Sequence, residues 1–274
     1  KQLPAVVQQT PQDSRVSEEE LKTIGLDDCR KSLFECLYHS VPKCCIHEFT
    51  KQGRMHPEVA EFANKQFYNG QLQACGLRHQ VIAISQPRVL FYTCIPSSDS
   101  DLLSVASRKS CPKNSDTKTL QAGIPSAKLN LDEAQLIVHL AENIYKEIQH
   151  RGVPFDLDKE LGIIVPYRHQ ITMVRSLLQT SAYPVLANVT IDTVERFQGS
   201  EKNVIIYGFT VSRPSQLSFL CDSQFIDQQG LLIDRKLNVA LTRARERTLL
   251  VGNPEILESV PLFAKLIAEV PRGD

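Results

Sequence analysis

The stretches LGIIV at 161–165 and NVIIYGFTV at 203–211 are short apolar runs. What surrounds them decides the fold. RHQITMVRSLLQ at 168–179 has the apolar spacing of an amphipathic helix, and NVTID at 188–192 reads as another strand. Further on, a helix is expected over about 234–244, a strand in RTLLVG (247–252) and a last helix near 261–269. Upstream, LDEAQLIVHLAENIYKEIQH at 131–150 reads as a long helix, with Asn130 placed as its N-cap. Apolar runs of this length alternating with amphipathic helices predict an α/β fold, a doubly wound, mostly parallel sheet with helices on both faces. Such sheets bind ligands at the carboxyl ends of their strands. The loops after Val165, Asp192, Val211 and Gly252 are therefore expected to matter.

The first half of the chain is less regular. SEEELKTI at 17–24 predicts a short helix, with Ser17 as cap, Glu20 at the capping-box position and Gly25 as stop. KSLFECLY (31–38) is a second helical patch, and CCIHEF (44–49) reads as a strand. Pro57 opens a helix that ends before the Asn69-Gly70 turn, and RVLFYTCI (88–95) is another strand. Residues 96–125, rich in Ser, Asp, Lys and Pro, read as a long surface excursion.

Composition narrows the classes. The chain has 274 residues, 31 basic and 31 acidic, for a formal net charge of zero, with 42% hydrophobic and 23% charged residues. That excludes a disordered tail, a collagen, a coiled coil and a small disulfide scaffold, and fits one or two domains at roughly 150 residues each. Any contact with nucleic acid would come from a local groove, because no global positive field exists. No apolar run approaches the roughly 18 residues of a membrane span, so no membrane partner is expected. KQLPAVVQQT at the start is not a signal peptide. None of the eight cysteines forms a C-x-x-C pair, and the one cluster, Cys44, Cys45 and His47, reads as buried free thiols within a strand; no metal site is expected. Unpaired thiols suit a reducing compartment, the cytoplasm or, in a eukaryote, the nucleus.

Four motifs bear on chemistry. No Gly-Lys pair occurs, so the chain has no P-loop of its own. Asp132-Glu133-Ala134-Gln135 looks like a magnesium-holding acidic box but lacks a buried strand before it; acids in a first helical turn are the ordinary response to the helix dipole. TIDTVERFQGSEKNVIIYGF (190–209) places Thr193, Gln198 and Glu201 around a Gly199-Ser200 turn, which is either a plain polar turn or a site for phosphate or ribose hydroxyls. DRKLNVALTRARERTLLVG (234–252) sets Lys236, Ala240 and Arg243 on one helix face, with Arg243 and Arg245 at its end. These arginines could be dipole partners or a finger that neutralises a transferring phosphoryl group. In FTKQGRMHPEVAEFANKQFYNGQL (49–72), Arg54 sits in the turn before the Pro57 helix, as an ion-pair partner or a site residue, and His56 reads as a contact at the helix start.

Taken in order, these stretches resemble the second motor half of a superfamily 1 helicase, in the group of the nonsense-mediated decay RNA helicase and related DNA helicases. KQLPAVV (1–7) is similar to the tail of that family's third motif, KQGRMHPEVAEFANKQFYNGQL to the fourth, TIDTVERFQGSEKNVII to the fifth and LNVALTRARERTLLVG to the sixth; SAKLNLDEAQLIV and GIIVPYRHQITMV are similar to intervening segments. The resemblance implies a RecA-like, P-loop NTPase-type core without its own P-loop. Residues 1–25 would be the tail of a first motor core and its linker, and 26–270 the second core, with the excursion at 96–125. It implies ATP with Mg2+, bound mainly by an N-terminal RecA-like core of the same protein, and single-stranded DNA or RNA as track. Gln2, Arg54 and Arg243 would reach the γ-phosphate. Glu201, Gly199 and Gln52 would contact the nucleotide, and Thr193, Tyr167 and Arg168 the strand's phosphates. Two positions depart from the family: Gly53 stands where an aromatic ring stacks on the base, and Val165 where a threonine is common. The expected function is the C-terminal motor domain of an ATP-dependent translocase, inactive alone; the alternative is a binding module without ATPase activity.

Overall fold

The computed structural model describes residues 3, 15–23, 25, 28, 32–47, 49–95, 128–227 and 230–273. The strands, in chain order, are β1 Lys51–Gln52, β2 Gln73–Ala74, β3 Val89–Thr93, β4 Leu161–Ile164, β5 Thr190–Asp192, β6 Lys202–Gly208, β7 Gln224–Ile226, β8 Leu232–Asp234 and β9 Ala244–Gly252. Five of them form one sheet in the order β3-β9-β6-β4-β5, and every pairing in it is parallel. β1 and β2 make a two-residue parallel pair, and β7 with β8 an antiparallel hairpin.

The apolar runs are continuous because both faces of the sheet are covered. Alternate residues of one strand enter different cores. Ile164, Ile205, Tyr207 and Leu250 pack with Phe62 and Phe67 of the Pro57–Phe67 helix, Leu237 of the Arg235–Leu241 helix and Phe263 of the Pro261–Glu269 helix. Ile163, Ile206, Leu249 and Val251 pack on the other side, against Ile137 and Leu140 of the Leu131–His150 helix and Val174 and Leu178 of the Arg168–Gln179 helix. Each fully buried Ile or Leu contributes about 1.5–3 kcal/mol through its area alone. Period-two burial of this kind also holds the register, since a one-residue slip would exchange the two cores.

Capping follows sequence chemistry. Asn130 Oδ1 accepts from Glu133 N at 3.0 Å, as expected for the N-cap of the long helix. His56 Nδ1 accepts from Glu58 N at 3.2 Å at the start of the Pro57 helix. On the outer side of β3, the chain's last described residues add a minimal strand: Phe91 N donates to Pro271 O and Gly273 N donates to Phe91 O, both at 2.9 Å. A Cβ at Gly273 would run into the Tyr92 ring.

CCIHEF is a correction. No strand forms among its described residues; Lys43–Cys45 is a 3-10 helix, and Phe49 is 95% exposed. A strand needs a hydrogen-bonding neighbour, and none of the described strands pairs with this segment. Cys44 and Cys45 are accordingly exposed rather than buried, with sulfurs 4.0 Å apart. The expected excursion at 96–125 lies outside the described residues, as do most of residues 1–25. Among the described residues, no helix is long and apolar enough to cross a membrane.

Candidate functional site

The candidate residues divide between the two edges of the sheet. At the amino-terminal edge, a short turn carries Arg54. Gln52 Oε1 accepts from Arg54 N at 3.0 Å and from Met55 N at 2.8 Å, while Gln52 Nε2 donates to Met55 O at 2.9 Å. The buried Gln80 donates to Gln52 O at 3.0 Å and to Met55 O at 2.9 Å, so the turn is tied from both sides. The Gln52 side chain is thus committed to its own turn. Arg54 Nε donates to Glu201 Oε2 at 2.7 Å and its Nη1 to Thr242 O at 3.1 Å.

Glu201 immediately precedes β6, after a turn in which Gly199 takes φ +90°, a left-handed conformation that favours glycine. Arg243 immediately precedes β9 and is 4% exposed. Its Nε donates to Val239 O at 3.1 Å, its Nη1 to Ser200 O at 3.4 Å and its Nη2 to Thr242 Oγ1 at 3.2 Å. Burial, reinforced by the Arg54 charge, lowers its pKa to about 10, which leaves it a cation at neutral pH. Arg245, on β9, places Nη1 3.7 Å from Glu201 Oε1 and donates from Nη2 to His79 Nδ1 at 3.2 Å. His79 Nε2 donates to Arg54 O at 2.8 Å. A carbonyl accepts and a guanidinium donates, so the network assigns His79 the neutral Nε2–H tautomer. The hydrogen bond from Arg54, ahead of the coulombic pull of Arg54 and Arg245, holds the Glu201 carboxyl below its usual range.

Two guanidinium groups therefore stand 2.7 and 3.7 Å from one carboxylate, and the buried Arg243 lies near enough to feel its charge, so the cluster carries surplus positive charge. Beside them opens a cavity of about 330 Å³ whose lining includes Gly53, Arg54, Tyr68, Leu72, Glu201 and Thr242. At Gly53 a Cβ would lie 3.2 Å from Leu77 Cδ1, so the Leu77 methyl crowds the place where a larger residue would start.

This location corrects the expectation that the site lies wholly at the carboxyl ends. Lys202 and Ala244, each next to a site residue, are register partners at the amino ends of β6 and β9, and Lys202 N donates to Arg243 O at 3.1 Å. Between successive parallel strands of one sheet the chain must travel back before starting the next. The loop after Asp192 does so through the Val194–Phe197 helix, and so delivers Gly199–Glu201 to the opposite edge.

The carboxyl edge holds Tyr167, Arg168 and Thr193. Tyr167 and Thr193 stand at helix N-caps without side-chain cap bonds, and Arg168 is exposed. The Tyr167 ring stacks on Phe219 with centroids 5.1 Å apart. Lys236 Nζ lies 3.9 Å from the Phe219 centroid and donates to Asp222 Oδ2 at 2.9 Å. Gln2 lies outside the described residues.

Sequence reasoning missed what Glu133 does. It is fully buried at this edge, accepting from Thr210 N at 2.7 Å, Thr210 Oγ1 at 2.6 Å and Gln170 Nε2 at 3.5 Å. Burial pushes its pKa up to about 7, against the opposing Thr210 hydrogen bonds. Thr210 holds φ +51°, a left-handed backbone stabilised by the two bonds to Glu133. His79 was also missed, since nothing in its sequence context marks it.

Comparison with known proteins agrees with this architecture. A family model described as an AAA domain matches residues 29–255. The DNA polymerase alpha-associated DNA helicase A of Saccharomyces cerevisiae is 28% identical over 94% of this chain and 34% of its own length. The human DNA replication ATP-dependent helicase/nuclease DNA2 is 28% identical over 90% of this chain and 22% of its own length. Helicase sen1 of Schizosaccharomyces pombe is 27% identical over 79% of this chain and 11% of its own length. The chain thus spans about a third or less of these relatives' length. The family model covers most of the chain and the relatives are helicases, so the chain belongs to the AAA domain family, as a motor domain of the superfamily 1 helicase group.

Proposed function

We propose that this chain is the second motor core of an ATP-driven translocase on single-stranded nucleic acid. Residues 26–270 form that core, and residues 1–25 are the tail of a first core and its linker. ATP and Mg2+ are held mainly by the first core, and this chain by itself does not turn over. The observation that carries the reading is that Arg54, which lines the cavity, and Arg243, which is buried, both hydrogen-bond Thr242, a cavity-lining residue, one through its carbonyl and the other through its hydroxyl. A guanidinium held in a largely desolvated position, as Arg243 is, stabilises charge on a transferring phosphoryl group. Gln2 senses the same phosphate, Glu201 and Gly199 take the ribose, and Gln52 shapes the turn that aims Arg54. Thr193, Tyr167 and Arg168 hold the strand's phosphates at the opposite edge. Closing the nucleotide edge then moves the strand edge as one body, because the same strands connect them. The unpaired cysteines among the described residues suit a reducing compartment, the cytoplasm or a nucleus.

The test is ATP turnover by the intact parent protein, without polymer, with single-stranded DNA and with single-stranded RNA. One polymer should stimulate turnover, and Arg243→Ala should lower it by about 10³-fold or more. No turnover under any condition would leave a binding module, and the catalytic assignments would be withdrawn.

A further inference from the structure

The resting site is not set for an anion. Arg54 commits Nε to Glu201 at 2.7 Å and Nη1 to Thr242 O at 3.1 Å. To engage a phosphate with the Nε–Nη2 side of its planar fork, Arg54 must leave Glu201. A carboxylate released beside a polyanion would repel it unless a second cation took it over. One is already in place: Arg245 Nη1 stands 3.7 Å from the other carboxylate oxygen, Oε1. A shift of under about 1 Å would bring it to hydrogen-bond range. Arg245 also has reserve capacity, since its buried Nε has no hydrogen-bond partner among the described residues. His79 couples the two arginines, accepting from Arg245 Nη2 at 3.2 Å and donating to the Arg54 carbonyl at 2.8 Å.

We propose that Glu201 is a latch that holds Arg54 in the resting chain, and that Arg245 is the positioning residue that takes Glu201 over when a polyphosphate draws Arg54 away. The proposal rests on the nucleotide-site reading given above and adds to it a residue pair and an exchange of partners. It makes polyphosphate affinity depend on the Glu201–Arg54 contact in a way that charge alone does not. Removing the Glu201 charge weakens general repulsion whether or not Arg54 is present. Removing a latch helps only if there is an Arg54 to free.

The experiment is calorimetric titration of the full 274-residue chain with inorganic triphosphate at low salt. The variants are Glu201→Gln, Arg54→Gln and Arg245→Gln, and the double variants Glu201→Gln/Arg54→Gln and Glu201→Gln/Arg245→Gln. Circular dichroism melting checks that each is folded. Glu201→Gln should tighten binding about tenfold when Arg54 is intact and less than about twofold in the Arg54→Gln background, a coupling of the size measured for contacting charged pairs. Arg245→Gln should weaken binding about tenfold when Glu201 is intact and less than about threefold in the Glu201→Gln background. Equal gains from Glu201→Gln in both Arg54 backgrounds, or no gain, overturn the latch and leave the nucleotide-site reading standing. Equal losses from Arg245→Gln in both Glu201 backgrounds overturn the hand-over. If neither the unaltered chain nor Glu201→Gln binds triphosphate at millimolar concentration, the anion site itself is wrong and the latch falls with it.

Discussion

The two edges of the sheet handle charge in opposite ways. At the amino edge, Glu201 is ionised, 43% exposed, and shared between arginines that reach it from elements far apart in sequence. At the carboxyl edge, Glu133 is fully buried, takes hydrogen bonds from neutral groups only, and has its pKa pushed up to about 7. An ion pair in contact with water exchanges easily, because solvent and a second arginine can replace the lost partner. A buried acid bound to a backbone amide and a hydroxyl has no such substitutes. One edge is built to change partners and the other to keep them.

Substitutions can break that contrast. The largest stability effect is expected from Glu133→Ala, which strands the Thr210 amide and hydroxyl and opens space beside Gly208: about 3 kcal/mol in urea unfolding. A loss below about 1 kcal/mol would mean that water replaces the carboxylate and the edge is not rigid. The pH dependence sharpens the same point. Folding raises the Glu133 pKa from its ordinary 4.5 to about 7, so the folded state holds the proton more tightly than the unfolded one. Its contribution is therefore fully present below about pH 4.5 and is lost as pH rises through about 7. Unfolding measured from about pH 5 to about pH 8 should show this decline in the unaltered chain and not in Glu133→Gln. The smallest effect is expected at the other edge, where Arg54→Ala should cost less than about 1 kcal/mol of stability. A larger cost would make Arg54 a structural strut instead of a mobile finger.

The sequence made the layers legible and left their ends obscure. LGIIV and NVIIYGFTV read as buried strands because both faces of the sheet are covered, a property of composition over a few residues. Asn130 read as a cap because its role depends on a residue three positions away. Glu133 did not read correctly: in a first helical turn an acid looks like a dipole partner, and its true partner, Thr210, is 77 residues distant. The edge that carries Glu201 was misread for a related reason. Its loop begins at a carboxyl end, and only the course of the Val194–Phe197 helix shows where it finishes. CCIHEF had the right residues for a strand but no neighbour to pair with. Gln52 and His79 act through backbone groups two to twenty-five residues away, contacts that leave no periodic signal.

The short pairing of the Pro271–Gly273 tail with Phe91 has a consequence for solubility. β3 is an outer strand of the five-stranded sheet, and a bare outer strand is a template for pairing with another molecule. Two hydrogen bonds from the tail occupy Phe91's outward amide and carbonyl, and the Arg272 guanidinium lies 4.8 Å from the Phe91 ring centroid. A peptide strand approaching this flank would have to displace this segment and with it the Arg272 contact on the Phe91 ring. The tail thus serves as a selvedge, a finished border that keeps one copy of the sheet from being continued by the next.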